Sequence, residues 1–259
     1  MNVLDLLNLK GKICLVSGGA GLYGKCISEG LAEAGGTVII ASRDLLKCEA
    51  VAADFCAKGL DVYAMEVDQS DHHSVMRLKN DLLEKFGKLD VFVNNAVARP
   101  MKHYGDDLAC FDTSMKINAT GMMDILREMA DLICRNETGG SIINISSMMG
   151  MFGPDISNYE GTDMGCPPPD YFFHNAGIIN LTRYLARFFA GKQVRVNCVS
   201  PGGLFSHQPQ RFVENYSKKV PVGRMANDDD IKGVMVLLAS DASAYINGEN
   251  ILMDGGMHA

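Results

Sequence analysis

Apolar residues along this chain fall in short runs separated by stretches of helical period. The runs are Ile13–Val16, Val38–Ala41, Val62–Val67, Val91–Val93, Ile142–Ile145, Val194–Val199 and Ile251–Met253. Each is too short for a helix and rich in Val or Ile, as expected of strands buried on both faces. Between them lie amphipathic segments: Cys26–Ala34, Leu45–Lys58, His72–Phe86, Phe111–Arg135 and Tyr171–Phe189. Strict alternation of strand and helix implies right-handed crossovers. The predicted fold is therefore α/β: a doubly wound parallel sheet of about seven strands, with helices on both faces.

Two stretches, 153–170 and 205–223, break the pattern and are expected as long loops, which in compact α/β domains are usually functional. With 259 residues and no internal repeat or low-complexity linker, residues 1–259 read as a single domain. Hydrophobic residues make up 47% and charged ones 21%, which excludes a disordered or fibrous chain. The net charge of −7 argues against a nucleic-acid or anionic-membrane binder, either of which needs a basic face. No apolar run reaches the length of a membrane span, and the first residues lack the layout of a secretory signal. Eight cysteines without a C-x-x-C pair are expected as buried small hydrophobes in a reducing, cytoplasmic protein. Neither they nor the histidines show metal-ligand spacing, so no metal is expected. His72 and His73 are expected at the surface.

The first strand leads directly into Ser17-Gly18-Gly19-Ala20-Gly21-Leu22-Tyr23-Gly24 and then a helix. Gly19, Gly21 and Gly24 satisfy G-x-G-x-x-G in the strand–turn–helix context that a dinucleotide pyrophosphate requires. The backbone can turn tightly there, and free N–H groups at the helix start stabilise the phosphate charge. At the end of the second strand, an acidic residue would bind a ribose 2′-hydroxyl and repel a 2′-phosphate. Ser42 and Arg43 stand there instead, so NADP(H) is favoured over NAD(H). The alternative for Arg43 is a solvated pair with Asp44. Asp68, just past the third strand, is placed to accept from the adenine amino group.

These residues resemble the short-chain dehydrogenase/reductase family, and the resemblance runs the length of the chain. Its further pieces are Asn94-Asn95-Ala96 after the fourth strand, Asn118, Ser146-Ser147 after the fifth strand, Tyr171, Pro201-Gly202 after the sixth, and Asp254-Gly255-Gly256. The chain is similar to sugar and sugar-acid dehydrogenases of the gluconate 5-dehydrogenase kind. The resemblance implies a single dinucleotide-binding domain that works as a homodimer or homotetramer on a small-molecule substrate. It adds Asn95, Ala96, Pro201, Gly202, Leu204 and Ser206 to the cofactor residues Ser17, Gly18, Gly19, Gly21, Leu22, Tyr23 and Gly24. Val97 departs from the family, which has glycine at that place.

In the family a tyrosine exchanges a proton with the substrate oxygen, and a serine hydrogen-bonds that oxygen. A lysine one turn beyond the tyrosine holds the ribose and favours the phenolate, and an asparagine anchors a proton-relay water. Ser147 and Asn118 match the serine and asparagine. Tyr171 is assigned as the tyrosine because it opens a helical segment; Tyr159, closer to Ser147, is the alternative, with Glu160-Gly161 and a proline-rich stretch after it. Four residues beyond Tyr171 stands Asn175, not lysine. An amide can reach the ribose but carries no charge, and ionising a tyrosine three units below its usual value of about 10 needs roughly 4 kcal/mol of selective stabilisation. His174 is a partial substitute if it is protonated.

The reading is thus an NADP(H)-preferring oxidoreductase interconverting a ketone and a secondary alcohol on a small polar substrate, with sugars and sugar acids foremost. Asn175 is expected to weaken its activity at neutral pH. The alternative is a dinucleotide-binding sensor or assembly subunit without turnover. Met148, Met149 and Met151 suggest either a moulded substrate wall or simple core packing. The polar loop 205–223, with His207, Gln208 and Arg211, leans towards a hydroxylated or anionic substrate.

Overall fold

A computed structural model describes residues 2–259. Seven strands form one sheet: β1 (Ile13–Ser17), β2 (Thr37–Ser42), β3 (Val62–Glu66), β4 (Val91–Asn94), β5 (Gly140–Ile145), β6 (Val194–Pro201) and β7 (Asn250–Met253). All neighbours are parallel, in the order β3-β2-β1-β4-β5-β6-β7. Among the described residues nine α-helices accompany them: α1 (Val3–Leu6), α2 (Leu22–Glu33), α3 (Leu45–Ala57), α4 (His72–Phe86), α5 (Leu108–Met115), α6 (Met122–Cys134), α7 (Pro169–Phe188), α8 (Gln210–Ser217) and α9 (Lys232–Ala239).

Successive side chains on a strand point to opposite faces, so each strand feeds two cores. Cys14 and Val16 of β1 pack with Ile27, Leu31, Val51, Phe55, Met235 and Leu238 beneath α2, α3 and α9. Ile13 and Leu15 pack with Leu78, Leu82, Ile125, Met129, Ile178 and Leu185 beneath α4, α6 and α7. That double burial is why the runs read as continuous apolar stretches rather than as alternation. The chain winds outward from β1 to β3, then returns to the other side of β1 at β4. This reversal opens a crevice beyond the carboxyl ends of β1 and β4, where ligands of open α/β sheets bind.

Four expectations are corrected. The stretch 205–223 is not all loop: α8 forms there, burying Phe212 and Tyr216 against Met148, Val220 and Met225. The stretch 153–170 contains a 3-10 turn, Ile156–Tyr159, and α7 begins at Pro169, inside its end. The cysteines are not uniformly interior: Cys14, Cys26, Cys48 and Cys198 are buried, Cys56 is exposed, and Cys110, Cys134 and Cys166 are half-buried. All eight are free thiols. The segment expected as one helix from Phe111 is divided by a π-helical turn, Lys116–Gly121, into α5 and α6. His72 and His73 lie at the surface, His72 paired with Asp124 at 2.9 Å. No helix among the described residues is long and apolar enough to cross a membrane.

Candidate active site

The crevice is a groove of about 690 Å³ running from the start of α2 past the ends of β4 and β5 to α7 and α8. Its phosphate end is built from missing side chains and missing partners. Gly18 has φ +65°, and a Cβ on it would sit 2.9 Å from the Cα of Ala96; one on Gly24 would sit 2.1 Å from the Gly18 carbonyl oxygen. Gly21 caps α2 without a side chain, and the amides of Leu22, Tyr23 and Gly24 have no backbone partner. A helix start with free donors and no acidic residue in its first turn suits an anion. The groove therefore fits a dinucleotide pyrophosphate.

Gly18, Gly21, Leu22, Tyr23, Gly24, Ser42, Arg43, Asn95, Ala96, Pro201, Gly202 and Leu204 all line the groove. Ser17, Gly19, Asp68 and Ser206 do not. Ser17 is buried, and its hydroxyl accepts from the amides of Asn95 (3.0 Å) and Ala96 (3.1 Å), which holds the turn after β4. Gly19 allows close packing: a Cβ there would meet the Ile40 side chain at 2.6 Å. Asp68 lies back from the groove and accepts from the amide (2.9 Å) and hydroxyl (2.7 Å) of Ser70. Burial pushes its carboxyl up, but these bonds, with Arg43 and Lys116 nearby, hold it below the usual carboxylate range. Ser206 donates its amide to Gln208 Oε1 at 2.7 Å, and Gln208 in turn lines the groove.

At the end of the groove beside β2, Arg43 is exposed and forms no ion pair with Asp44. That carboxylate instead caps α3, accepting from the Lys47 amide at 3.0 Å. Lys47 joins Arg43 in the lining and makes this end of the groove cationic. The sequence reading missed Lys47, although its place one helical turn beyond Arg43 was visible.

Asn118, Ser147, Tyr171 and Asn175 meet in the same groove. Ser147 follows β5 and is buried; its Oγ accepts from the Met149 amide at 3.2 Å, leaving its own proton free to donate. Asn118 sits in the π-helical turn, an irregularity common at functional sites. Its Oδ1 accepts from the Ala98 amide (2.8 Å), and its Nδ2 donates to the Ala98 carbonyl (2.8 Å) and to Ser114 Oγ (3.0 Å). Both of its amide protons are thus engaged with the protein. Ser114 donates onward to the buried Asp170 at 2.6 Å, the residue preceding Tyr171.

Tyr171 stands in the first turn of α7, started by Pro169 at a position where its missing N–H does no harm. Asn175, one turn on, is 4% exposed and donates its side-chain amide to the Tyr171 carbonyl at 2.8 Å. His174 packs edge-on against the Tyr171 ring, with centroids 5.5 Å apart. Burial drives its imidazole down to about 4; Asp170 opposes that shift and Arg99 adds to it. A neutral His174 supplies no charge at pH 7, so it does not replace the lysine. Tyr159 also lines the groove, packed on Phe212 at 5.3 Å, and burial pushes its phenol up to about 12.

Two further residues were missed. Arg99 lines the groove with its guanidinium carbon 4.9 Å from the centre of the Tyr171 ring. Asn158, in the 3-10 turn, lines it with a buried side-chain oxygen that has no hydrogen-bond partner. No local signal marks either of them; both lie in irregular segments brought to the groove by tertiary packing.

Comparison with known proteins identifies the family and the fold. The family described as enoyl-(acyl carrier protein) reductase matches residues 21–258. The 3-oxoacyl-(acyl-carrier-protein) reductase FabG of Thermotoga maritima is 29% identical, covering 97% of this chain and 99% of its own. The 2-dehydro-3-deoxy-D-gluconate 5-dehydrogenase of Pseudoalteromonas atlantica is 32% identical, covering 98% of each. The crystal structure of a short-chain type dehydrogenase/reductase from Mycobacterium marinum superimposes with a TM-score of 0.89 over 100% of both chains, at 28% identity. Glycine cradle, parallel sheet and whole-length similarity agree: the chain belongs to the short-chain dehydrogenase/reductase family of oxidoreductases.

Proposed function

We propose that this chain is an NADP(H)-preferring oxidoreductase that interconverts a ketone and a secondary alcohol on a small polar substrate, with sugars and sugar acids as the first class to test. The observation that carries the reading is the convergence of Ser147, Tyr171, Asn118 and Asn175 on the groove that begins at the glycine cradle. The free amides of Leu22, Tyr23 and Gly24 would hold the pyrophosphate. Arg43, Lys47 and Ser42 would hold a 2′-phosphate, which is the basis for preferring NADP(H). When bound, the nicotinamide supplies or accepts the hydride.

The chain's own residues handle the oxygen and its proton. Ser147 donates its hydroxyl proton to the substrate oxygen and orients it. Tyr171 gives a proton to that oxygen in reduction and takes one in oxidation. Asn175, its amide N–H turned back on the helix, offers Oδ1 to a ribose hydroxyl. Asn118 fixes Ala98 and, through Ser114 and Asp170, the entry of α7. With neutral Asn175 where the family has lysine, the phenolate has less support, and turnover at neutral pH is expected to be slow.

A second reading, a dinucleotide-binding sensor or assembly subunit without turnover, rests on that same neutral Asn175 beside a neutral His174. The decisive experiment is a fluorescence titration with NADPH and NADH, followed by a pH–rate scan over sugars, sugar acids and simple ketones. Tight NADPH binding with turnover rising towards alkaline pH in oxidation supports the enzyme. Binding without turnover at any pH favours the sensor, and no binding of either cofactor removes both.

A homo-oligomer and a cytoplasmic location belong to the same reading. Phe173, Tyr184 and Phe188 form an exposed aromatic stripe on α7, with exposed Leu108 on α5 close by and Phe111 against Phe173 at 5.7 Å. An apolar patch of this kind suits a second copy of the chain.

A further inference from the structure

Arg99 is the one charged side chain lining the reaction end of the groove; the others in its lining, Arg43, Asp44 and Lys47, are at the adenosine end. Its guanidinium lies on the Tyr171 ring and, among the described residues, meets no carboxylate and makes no side-chain hydrogen bond. A guanidinium held over a ring by cation–π attraction spends no N–H donor on that contact, so its donors remain available to a ligand.

The position is built rather than incidental. Asn118 clamps both the amide and the carbonyl of Ala98, the residue immediately before Arg99, at 2.8 Å each. The same Asn118 reaches Ser114 at 3.0 Å, and Ser114 reaches Asp170, the residue immediately before Tyr171, at 2.6 Å. One hydrogen-bonded chain therefore joins the Ala98 backbone to the Asp170 side chain, and holds a free cation beside Tyr171.

A second group in the lining is also unpaired. Asn158 is 4% exposed, and its side-chain oxygen Oδ1, an acceptor, has no hydrogen-bond partner. Its turn is fastened to the α8 region: Asn215 donates to the carbonyls of Asn158 (3.3 Å) and Glu160 (3.0 Å), and Lys219 pairs with Asp155 at 2.6 Å. Buried acceptors are normally satisfied, so an unsatisfied one in a ligand groove is a place for a ligand's donor group. The walls near it, Met149, Met164 and Phe212, are apolar and hold no competing charge.

We propose that Arg99 and Asn158 form the substrate subsite, and that the substrate is an oxo acid with its corresponding hydroxy acid. Arg99 takes the carboxylate through its N–H fork, and Asn158 Oδ1 accepts from a hydroxyl of the same molecule. This rests on the oxidoreductase reading and narrows it: the substrate carries its own negative charge close to the reacting carbon. A neutral ketone leaves the guanidinium without a partner.

Two probes test this without turnover: 2-hydroxyisobutyrate and 3-hydroxy-3-methylbutyrate, tertiary alcohols that cannot be oxidised to ketones, each compared with its methyl ester. Binding is measured by calorimetry on the full chain saturated with NADP⁺. At least one acid is expected to bind about tenfold or more tightly than its ester. Arg99→Gln should abolish that preference, Arg99→Lys should keep part of it, and Asn158→Ala should weaken the acid about threefold to tenfold. NADPH affinity within about twofold of the parent would show that the variants are folded. Cofactor binding with equal affinity for acid and ester, or acid binding untouched by Arg99→Gln, overturns the subsite and leaves the oxidoreductase reading standing. Failure of the parent chain to bind NADP⁺ overturns both.

Discussion

The side-chain amide of Asn175 donates to the carbonyl oxygen of Tyr171, one turn earlier in the same helix, at 2.8 Å. The residue in the family's lysine position is thereby occupied with its own helix, and it brings no charge to the tyrosine whose backbone it holds. Restoring that charge is the most direct test. Asn175→Lys should raise the rate at pH 7 by about tenfold or more, with a smaller gain near pH 9, because a cation there stabilises the phenolate selectively. A lysine at a position 4% exposed also has to be desolvated, so the melting temperature should fall by a few degrees. A pH–rate profile of parent and variant reads the first effect and a thermal melt the second. An unchanged rate at every pH would remove Tyr171 as the acid/base.

Tyr171 and Tyr159 are separated by their surroundings. Tyr159 packs on Phe212 within the lining, and burial pushes its phenol up to about 12, which suits a structural residue. Tyr171→Phe should therefore lower kcat by about a thousandfold, and Tyr159→Phe by less than about tenfold. Reversal of these two losses would transfer the role to Tyr159.

His174 makes stability depend on acidity. Burial lowers its imidazole from the ordinary 6.5 to about 4, so the unfolded chain takes up a proton below about 6.5 that the folded chain refuses until about 4. The unfolded state binds more protons throughout that window. Stability is therefore complete above it and falls as pH drops through it, by about 3 kcal/mol at most. His174→Phe removes the group, and with it this share of the slope. Urea midpoints of parent and variant at pH 7, 5.5 and 4.5 should converge or cross as acid is added; parallel curves would mean that His174 titrates normally.

The adenosine end predicts cofactor choice. Arg43 is unpaired because Asp44 is engaged in capping α3, and Lys47 stands beside it in the lining. Arg43→Gln should weaken NADPH about tenfold to a hundredfold while leaving NADH nearly unchanged, since only the former carries the 2′-phosphate. Ser42→Asp should reverse the preference. Fluorescence titrations of both cofactors check each variant, and equal losses for NADPH and NADH would place the phosphate elsewhere.

The exposed stripe on α7 predicts assembly. Replacing Tyr184 and Phe188, 60% and 64% exposed, with glutamate should shift the chain from dimer or tetramer to monomer in size-exclusion light scattering. A parent chain that is already monomeric would remove this face as an interface.

Much of this was written locally in the chain. The run Ile13–Val16 followed by Ser17–Gly24 specified a strand, a tight turn and a helix start, because each depends on residues adjacent in sequence and on the sterics of glycine. Helix α8 was hidden by the opposite circumstance. Its eight residues carry too few apolar positions to show a period, and Phe212 and Tyr216 become a buried face only once Met148 and Met225 arrive from elsewhere. The π-helical turn at Lys116–Gly121 has no pattern of its own, yet it sets where Asn118 points.

The sequence by itself determined the layered architecture, the glycine turn that opens α2 and the absence of lysine at position 175. These follow from periodicity, backbone freedom and residue identity, all of which are local properties. Only the tertiary structure decided that His174 is neutral, that Asn118 braces Ala98 and that Arg99 lies over Tyr171. Charge state and reach depend on desolvation and on which distant segments share a cavity, and neither is defined until the chain has folded.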